Sequence, residues 1–125
     1  MTRAKEFLTS VVKLKATGFG WIETERSRFQ SDIVIYPDQR IETRFQGRPG
    51  DSHTISLNEV KRVLAGTRAR LVIGSGQDGI AQVAAEAEDY LKKNSIEFQV
   101  APTPEAILIY NQLPEPKAAI FHVTC

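Results

Sequence analysis

Arg70-Leu71-Val72-Ile73-Gly74-Ser75-Gly76-Gln77-Asp78-Gly79-Ile80 is the stretch that decides the fold. Leu71, Val72 and Ile73 form a short, largely β-branched apolar run, the pattern of a strand covered on both faces, and it stops at Gly74. Gly74, Gly76 and Gly79 then follow the glycine spacing of a dinucleotide-binding turn. Beyond the turn, Ile80, Val83, Ala84, Ala87 and Leu91 fall on one face of a predicted helix; Asn94-Ser95 ends it, and Phe98 with Val100 begins another strand.

The pattern continues toward the C-terminal side. Thr103-Pro104 reads as a helix start, a capping hydroxyl followed by a residue that needs no amide hydrogen there. Ala106, Ile107, Tyr110 and Leu113 can face a sheet, Pro114-Glu115-Pro116 breaks the helix, and Ala118 to Val123 form a last apolar strand. Strands alternating with helices over about residues 69–125 predict a parallel βαβαβ half.

Upstream the pattern is antiparallel. Phe19–Glu25, Arg28–Tyr36 and Arg40–Phe45 read as short strands joined by turns, an additional β-meander over about 12–45 with Pro37-Asp38-Gln39 at one reversal. In the returning strand Ile41, Thr43 and Phe45 are expected to pack, while Glu42 and Arg44 look at water. Residues 1–17 have both helical and alternating spacing and read as a short helix, a possible N-terminal extension, turning into a strand near Val11. Gly47 to Thr54 reads as a surface loop, and Ser56-Leu57-Asn58-Glu59 matches a capping box opening a helix that runs to Gly66. The expected architecture is a three-layer α/β single domain with a mixed central sheet.

Composition narrows the function classes. A formal charge of +1 argues against a dedicated nucleic-acid binder, although thirteen Lys or Arg stand against eight Asp or Glu before Leu71, and three against seven afterwards. No run of about 20 apolar residues is present to span a bilayer. The one cysteine, Cys125, has no intrachain partner for a disulfide, which fits a reducing, cytoplasmic setting.

Few residues announce chemistry. Gly74, Ser75, Gly76 and Gln77 can hold a small anion if several backbone amides at a helix start point at one spot. A full NAD site is disfavoured: Asp78 places a carboxylate beside the pyrophosphate position, and Glu97, the acidic residue about 20 positions on, stands at the entrance of the next strand rather than its far end. Thr103, Asn111, His53 and His122 complete the candidate ligand-binding set, the first two as polar groups at the ends of the last helix. In an extended strand the odd separation of His122 and Cys125 sends them to opposite faces. A metal site from His53, His122 and Cys125 needs all three brought together across the fold, and none is expected.

Several strings together resemble the Mth938-like family: Asp32-Ile33-Val34-Ile35-Tyr36-Pro37, Ser52-His53, Leu71-Val72-Ile73-Gly74 followed by Gly76, Tyr90-Leu91-Lys92-Lys93, Thr103 with Ala106, Tyr110-Asn111, and the closing Phe121-His122-Val123-Thr124-Cys125. That family includes the adipogenesis-associated Mth938 domain-containing proteins and has a relative among mitochondrial respiratory complex I assembly factors. The resemblance implies a three-layer α/β domain and no agreed enzymatic activity; the related assembly factor works through protein contacts, and other members are cytosolic with loosely defined roles. The functional expectation is therefore a non-catalytic binding or assembly protein, with a small anionic ligand at Gly74–Gly79. The alternative is an enzyme acting on a nucleotide or phosphorylated metabolite held by the same loop.

Overall fold

Alternating burial along the apolar runs divides the molecule into layers. In the computed structural model, which describes residues 11–44 and 53–125, Leu71 and Ile73 of strand β7 (Arg70–Ser75) face one way and Val72 the other. Ala118 and Ile120 of β10 (Lys117–His122) likewise face opposite to Ala119 and Phe121. These two strands pair in parallel, with Gly74 beside Phe121 and Ser75 beside His122. On the far side of β7 lies β9 (Phe98–Ala101), also parallel; on the far side of β10 lies β4 (Ile33–Ile35), antiparallel, followed by β5 (Ile41–Thr43). The mixed sheet thus runs β5-β4-β10-β7-β9.

Each face has its own cover. Helix α1 (Leu57–Leu64) contributes Val60, Val63 and Leu64, and α2 (Ala85–Lys93) contributes Ala87 and Leu91, to the core with Leu71, Ile73, Ala118 and Ile120. On the opposite face α3 (Thr103–Gln112) presents Ala106, Ile107 and Tyr110. Beside it Leu14 and Ile22 come from a separate small sheet, β1 (Leu14–Gly18), β2 (Trp21–Thr24) and β3 (Arg28–Phe29). The architecture is three-layer α/β, as the run pattern predicts. The expected meander is divided: its first strands form this small sheet, and only β4 and β5 join the central one.

Four local expectations change. The helix after the glycine turn begins at Ala85, not Ile80, because Gln82–Val83 (β8) pairs in parallel with Thr54–Ile55 (β6), and Ile80 is 54% exposed. Strand pairing with a distant segment overrides the local helical period. Arg44 is 3% exposed instead of facing water, while Thr43 is exposed. The α1 start keeps half of its capping box: Ser56 Oγ accepts from Glu59 N, but the Glu59 carboxylate binds Arg44. Thr103 is the first residue of α3, not its cap, and its hydroxyl turns toward the sheet. At the other end of α3, buried Lys117 donates from Nζ to the carbonyls of Tyr110 and Leu113, at 2.7 and 2.8 Å. Expectations for residues 1–10 and for the loop over 45–52 lie outside the described residues.

Candidate functional site

The glycine turn is packed with its own chain. Gly76 adopts φ +104°, open to glycine and strained for other residues, and a Cβ there would lie 2.4 Å from the carbonyl carbon of Cys125. Its amide donates to Thr103 Oγ1 at 2.9 Å, and its carbonyl accepts from Thr103 N at the same distance. Gln77 N donates to Thr124 O at 2.6 Å, Ile80 N to Cys125 O at 3.0 Å, and Ala81 N to Ser75 O at 3.0 Å. Gly79 N closes the turn on Gly76 O.

These amides therefore point at the protein's own oxygens; the helix that follows in the chain starts only at Ala85, and the helix start that does abut the turn, that of α3, meets it through Thr103. Of the anion cradle expected at Gly74, Ser75, Gly76 and Gln77, the amides of Gly76 and Gln77 are turned to oxygens of the chain itself, and the candidate site moves elsewhere on that ground. The glycines make room instead for the Thr124-Cys125 segment and, at Gly74, for Phe121 and Thr103.

The remaining candidates divide. Asn111 belongs to the scaffold: its side chain accepts from Leu14 N at 2.9 Å and donates to Leu14 O at 2.8 Å, clasping β1 to α3. Tyr110 is fully buried with its hydroxyl on Gln39, and burial drives the phenol well above its ordinary range. Thr103 bridges the turn to the His122 carbonyl. His53 and His122, by contrast, come together, their rings edge to face with centroids 5.1 Å apart.

Cys125 completes this corner. The strand ends at His122, so alternation no longer governs Cys125, and its Sγ lies 3.1 Å from Nε2 of His53. His53 is exposed and Cys125 partly so. Among the described residues no group of three or more His, Cys, Asp or Glu has the arrangement of a metal site.

Beneath the pair lies a buried ionic chain. His122, 1% exposed, places Nδ1 2.8 Å from Asp32 Oδ2. Asp32 also accepts from Val123 N at 2.8 Å and from Arg44 Nη1 at 2.9 Å. A carboxylate receiving these donors is ionised, so Nδ1 of His122 carries a proton and donates. Its other nitrogen lies 3.0 Å from Thr124 Oγ1. Burial pushes the Asp32 carboxyl up, but the hydrogen bonds from His122 and Val123 and the charges of His122 and Arg44 more than offset it and hold it below its usual range. Arg44 in turn binds both oxygens of Glu59 and donates to Thr54 O at 3.0 Å. Burial works against its charge, and the two carboxylates more than compensate, so it stays protonated.

The sequence pattern weighs Cys125 only with His122 and within a three-residue metal site, and it does not single out Asp32, Arg44 or Glu59. One signal was available: Asp32 stands as a lone charge directly before Ile33-Val34-Ile35, where a carboxylate needs partners if the strand is central. The corner's surroundings are apolar in part. Gly20 N donates to Val123 O beside Phe19, which is 67% exposed, and Ile80, whose amide holds Cys125 O, is exposed as well.

The chain is similar to known proteins over most of its length. Residues 14–122 match the family model described as a protein of unknown function, DUF498/DUF598. Among solved structures, the conserved hypothetical protein PH1505 from Pyrococcus horikoshii OT3 is 29% identical with a TM-score of 0.79, covering 90% of this chain and 99% of that one. MT938 is 27% identical with a TM-score of 0.75, covering 91% and 99%. A protein from Bordetella parapertussis, at 21% identity and a TM-score of 0.73 over 91% and 97%, shares the fold. With that model spanning nearly all of the described chain and MT938 itself superposing on it, the chain belongs to the DUF498/DUF598 family, the Mth938-like proteins.

Proposed function

We propose that this chain is a binding protein of the cytoplasm whose point of contact is the His53–Cys125 corner, and that it engages its partner by thiol exchange. The observation that supports this reading is the 3.1 Å separation of Cys125 Sγ from His53 Nε2 at the surface. A thiolate, not a thiol, is the nucleophile, and an imidazole at hydrogen-bond distance is the group that takes the thiol proton. The proton passes from Sγ to Nε2, and the sulfur attacks one sulfur of a disulfide on the partner. A new S–S bond forms as the old one breaks, and the departing thiolate takes the proton from His53. One disulfide replaces another, so no outside oxidant is needed. The exposed side chains of Phe19 and Ile80, on segments hydrogen-bonded to the same chain end, favour a protein or an apolar thiol as the partner.

The test uses an aromatic disulfide whose released thiolate absorbs visible light. One equivalent of thiolate per chain is expected, at a rate at least about 10-fold above that of His53→Ala, since a positioned base contributes about 10²-fold or more. His53 is exposed, so its removal should leave folding intact. Equal rates in the two proteins would remove the imidazole from the reaction and with it this reading.

A further inference from the structure

The two members of the surface pair come from segments 72 residues apart, and a single buried ion pair holds both segments. On one side, Asp32 Oδ1 accepts from Val123 N and Oδ2 from His122 Nδ1, fixing the chain immediately before Cys125. On the other side, Arg44 Nη2 donates to the carbonyl of Thr54, the residue after His53. Asp32 and Arg44 meet at 2.9 Å, with both side chains almost wholly buried. His122, held by Asp32, packs edge to face with the His53 ring.

We infer that Asp32 and Arg44 are positioning residues for the His53–Cys125 pair, setting the distance between sulfur and imidazole without touching whatever reacts there. This rests on the thiol reading above. A buried ion pair is no efficient way to add stability, because desolvation of both charges offsets most of their attraction. What it does well is fix geometry, since each charge must keep every partner or be left uncompensated. Glu59, on the outer side of Arg44, is another anion facing the pair among the described residues; it binds Arg44 through both oxygens and draws it toward α1. Misplacing a nucleophile and its base by an ångström costs roughly 10²-fold in rate, which makes position the quantity such a device controls.

The experiment is a double-mutant cycle read by the rate of Cys125 with the aromatic disulfide at neutral pH. Asp32→Asn keeps the shape and an acceptor oxygen but removes the charge. It is expected to lower the rate about 10-fold in the otherwise unchanged protein and to have no further effect in the His53→Ala background. The ¹⁵N shift of His53 Nε2 gives a second readout that folding stability does not move: in Asp32→Asn it should shift toward the value seen in Cys125→Ser, where the sulfur contact is gone. If Asp32→Asn slows the reaction equally with and without His53, or leaves the Nε2 shift in place, the positioning role is wrong although the thiol reading stands. If His53→Ala alone has no effect, it is the thiol reading that fails. Should Asp32→Asn not fold, Arg44→Lys, which keeps the charge but loses the fork reaching Thr54 O, replaces it with the same expectations and the same overturning results.

Discussion

The glycine turn and the His53–Cys125 corner lie against the same few residues of chain, and they treat them oppositely. At the turn, backbone amides face inward and close on Thr124 O and Cys125 O, leaving nothing directed at solvent among those donors. At the corner the backbone is equally tied down, but the side chain of Cys125 is left outside beside an imidazole. The lesson is that glycine in a tight loop has two physical uses, to admit a ligand or to admit the protein's own main chain. Only the identity of the neighbouring atom tells them apart.

The contrast can be broken most forcefully from beneath the corner. Arg44→Met leaves Asp32 and Glu59 without their shared cation, and a loss of about 3–5 kcal/mol in urea unfolding is expected. A change under about 1 kcal/mol would mean that the carboxylates relax to water and that the corner has no rigid base. Next in size is the turn. Gly76→Ala forces a side chain into a conformation costing roughly 1–3 kcal/mol and presses it on the Cys125 carbonyl, so about 2–4 kcal/mol is expected. An unchanged unfolding midpoint would show the turn to be open after all and would restore it as a ligand site.

The smallest effect is one of pH. Asp32 is held below the ordinary carboxylate range, so the folded state binds this proton less readily than the unfolded chain, where the value is about 3.9. Its contribution is therefore fully present above that value and is lost as pH falls through it toward the folded-state value. Unfolding free energy measured from pH 6 downward should fall more steeply in the native protein than in Asp32→Asn. Parallel curves would place the acid sensitivity elsewhere.

The sheet was legible because its strands are locally emphatic: Leu71–Ile73 and Ala118–Val123 are apolar on both faces, and only a doubly covered strand needs that. The site was not, for three physical reasons. Arg44 alternates like a solvent-facing strand residue, and the groups that bury it, Asp32, Glu59 and Thr54 O, are 10 to 15 residues away on other elements. The five residues from Ile80 to Ala84 carry a helical period, which strand pairing with Thr54 and Ile55 defeats. Strand alternation, carried on from His122, sends the Cys125 side chain away from that residue, and the partner it does meet is the histidine 72 residues earlier, which no local pattern connects to it.

The order of the central sheet carries a consequence for how the molecule is made. β10 sits between β4 and β7, and it follows both in the chain, separated from β4 by more than eighty residues. During synthesis, β4 and β7 must wait with one edge open until residues 117–122 leave the ribosome, because nothing else inserts between them. Such late, long-range closure is slow, on the order of milliseconds to seconds rather than microseconds. In that interval Val72, Ile73 and Ile33 would flank a vacant slot of strand width, the state in which a nascent chain is most open to mispairing and most in need of a chaperone.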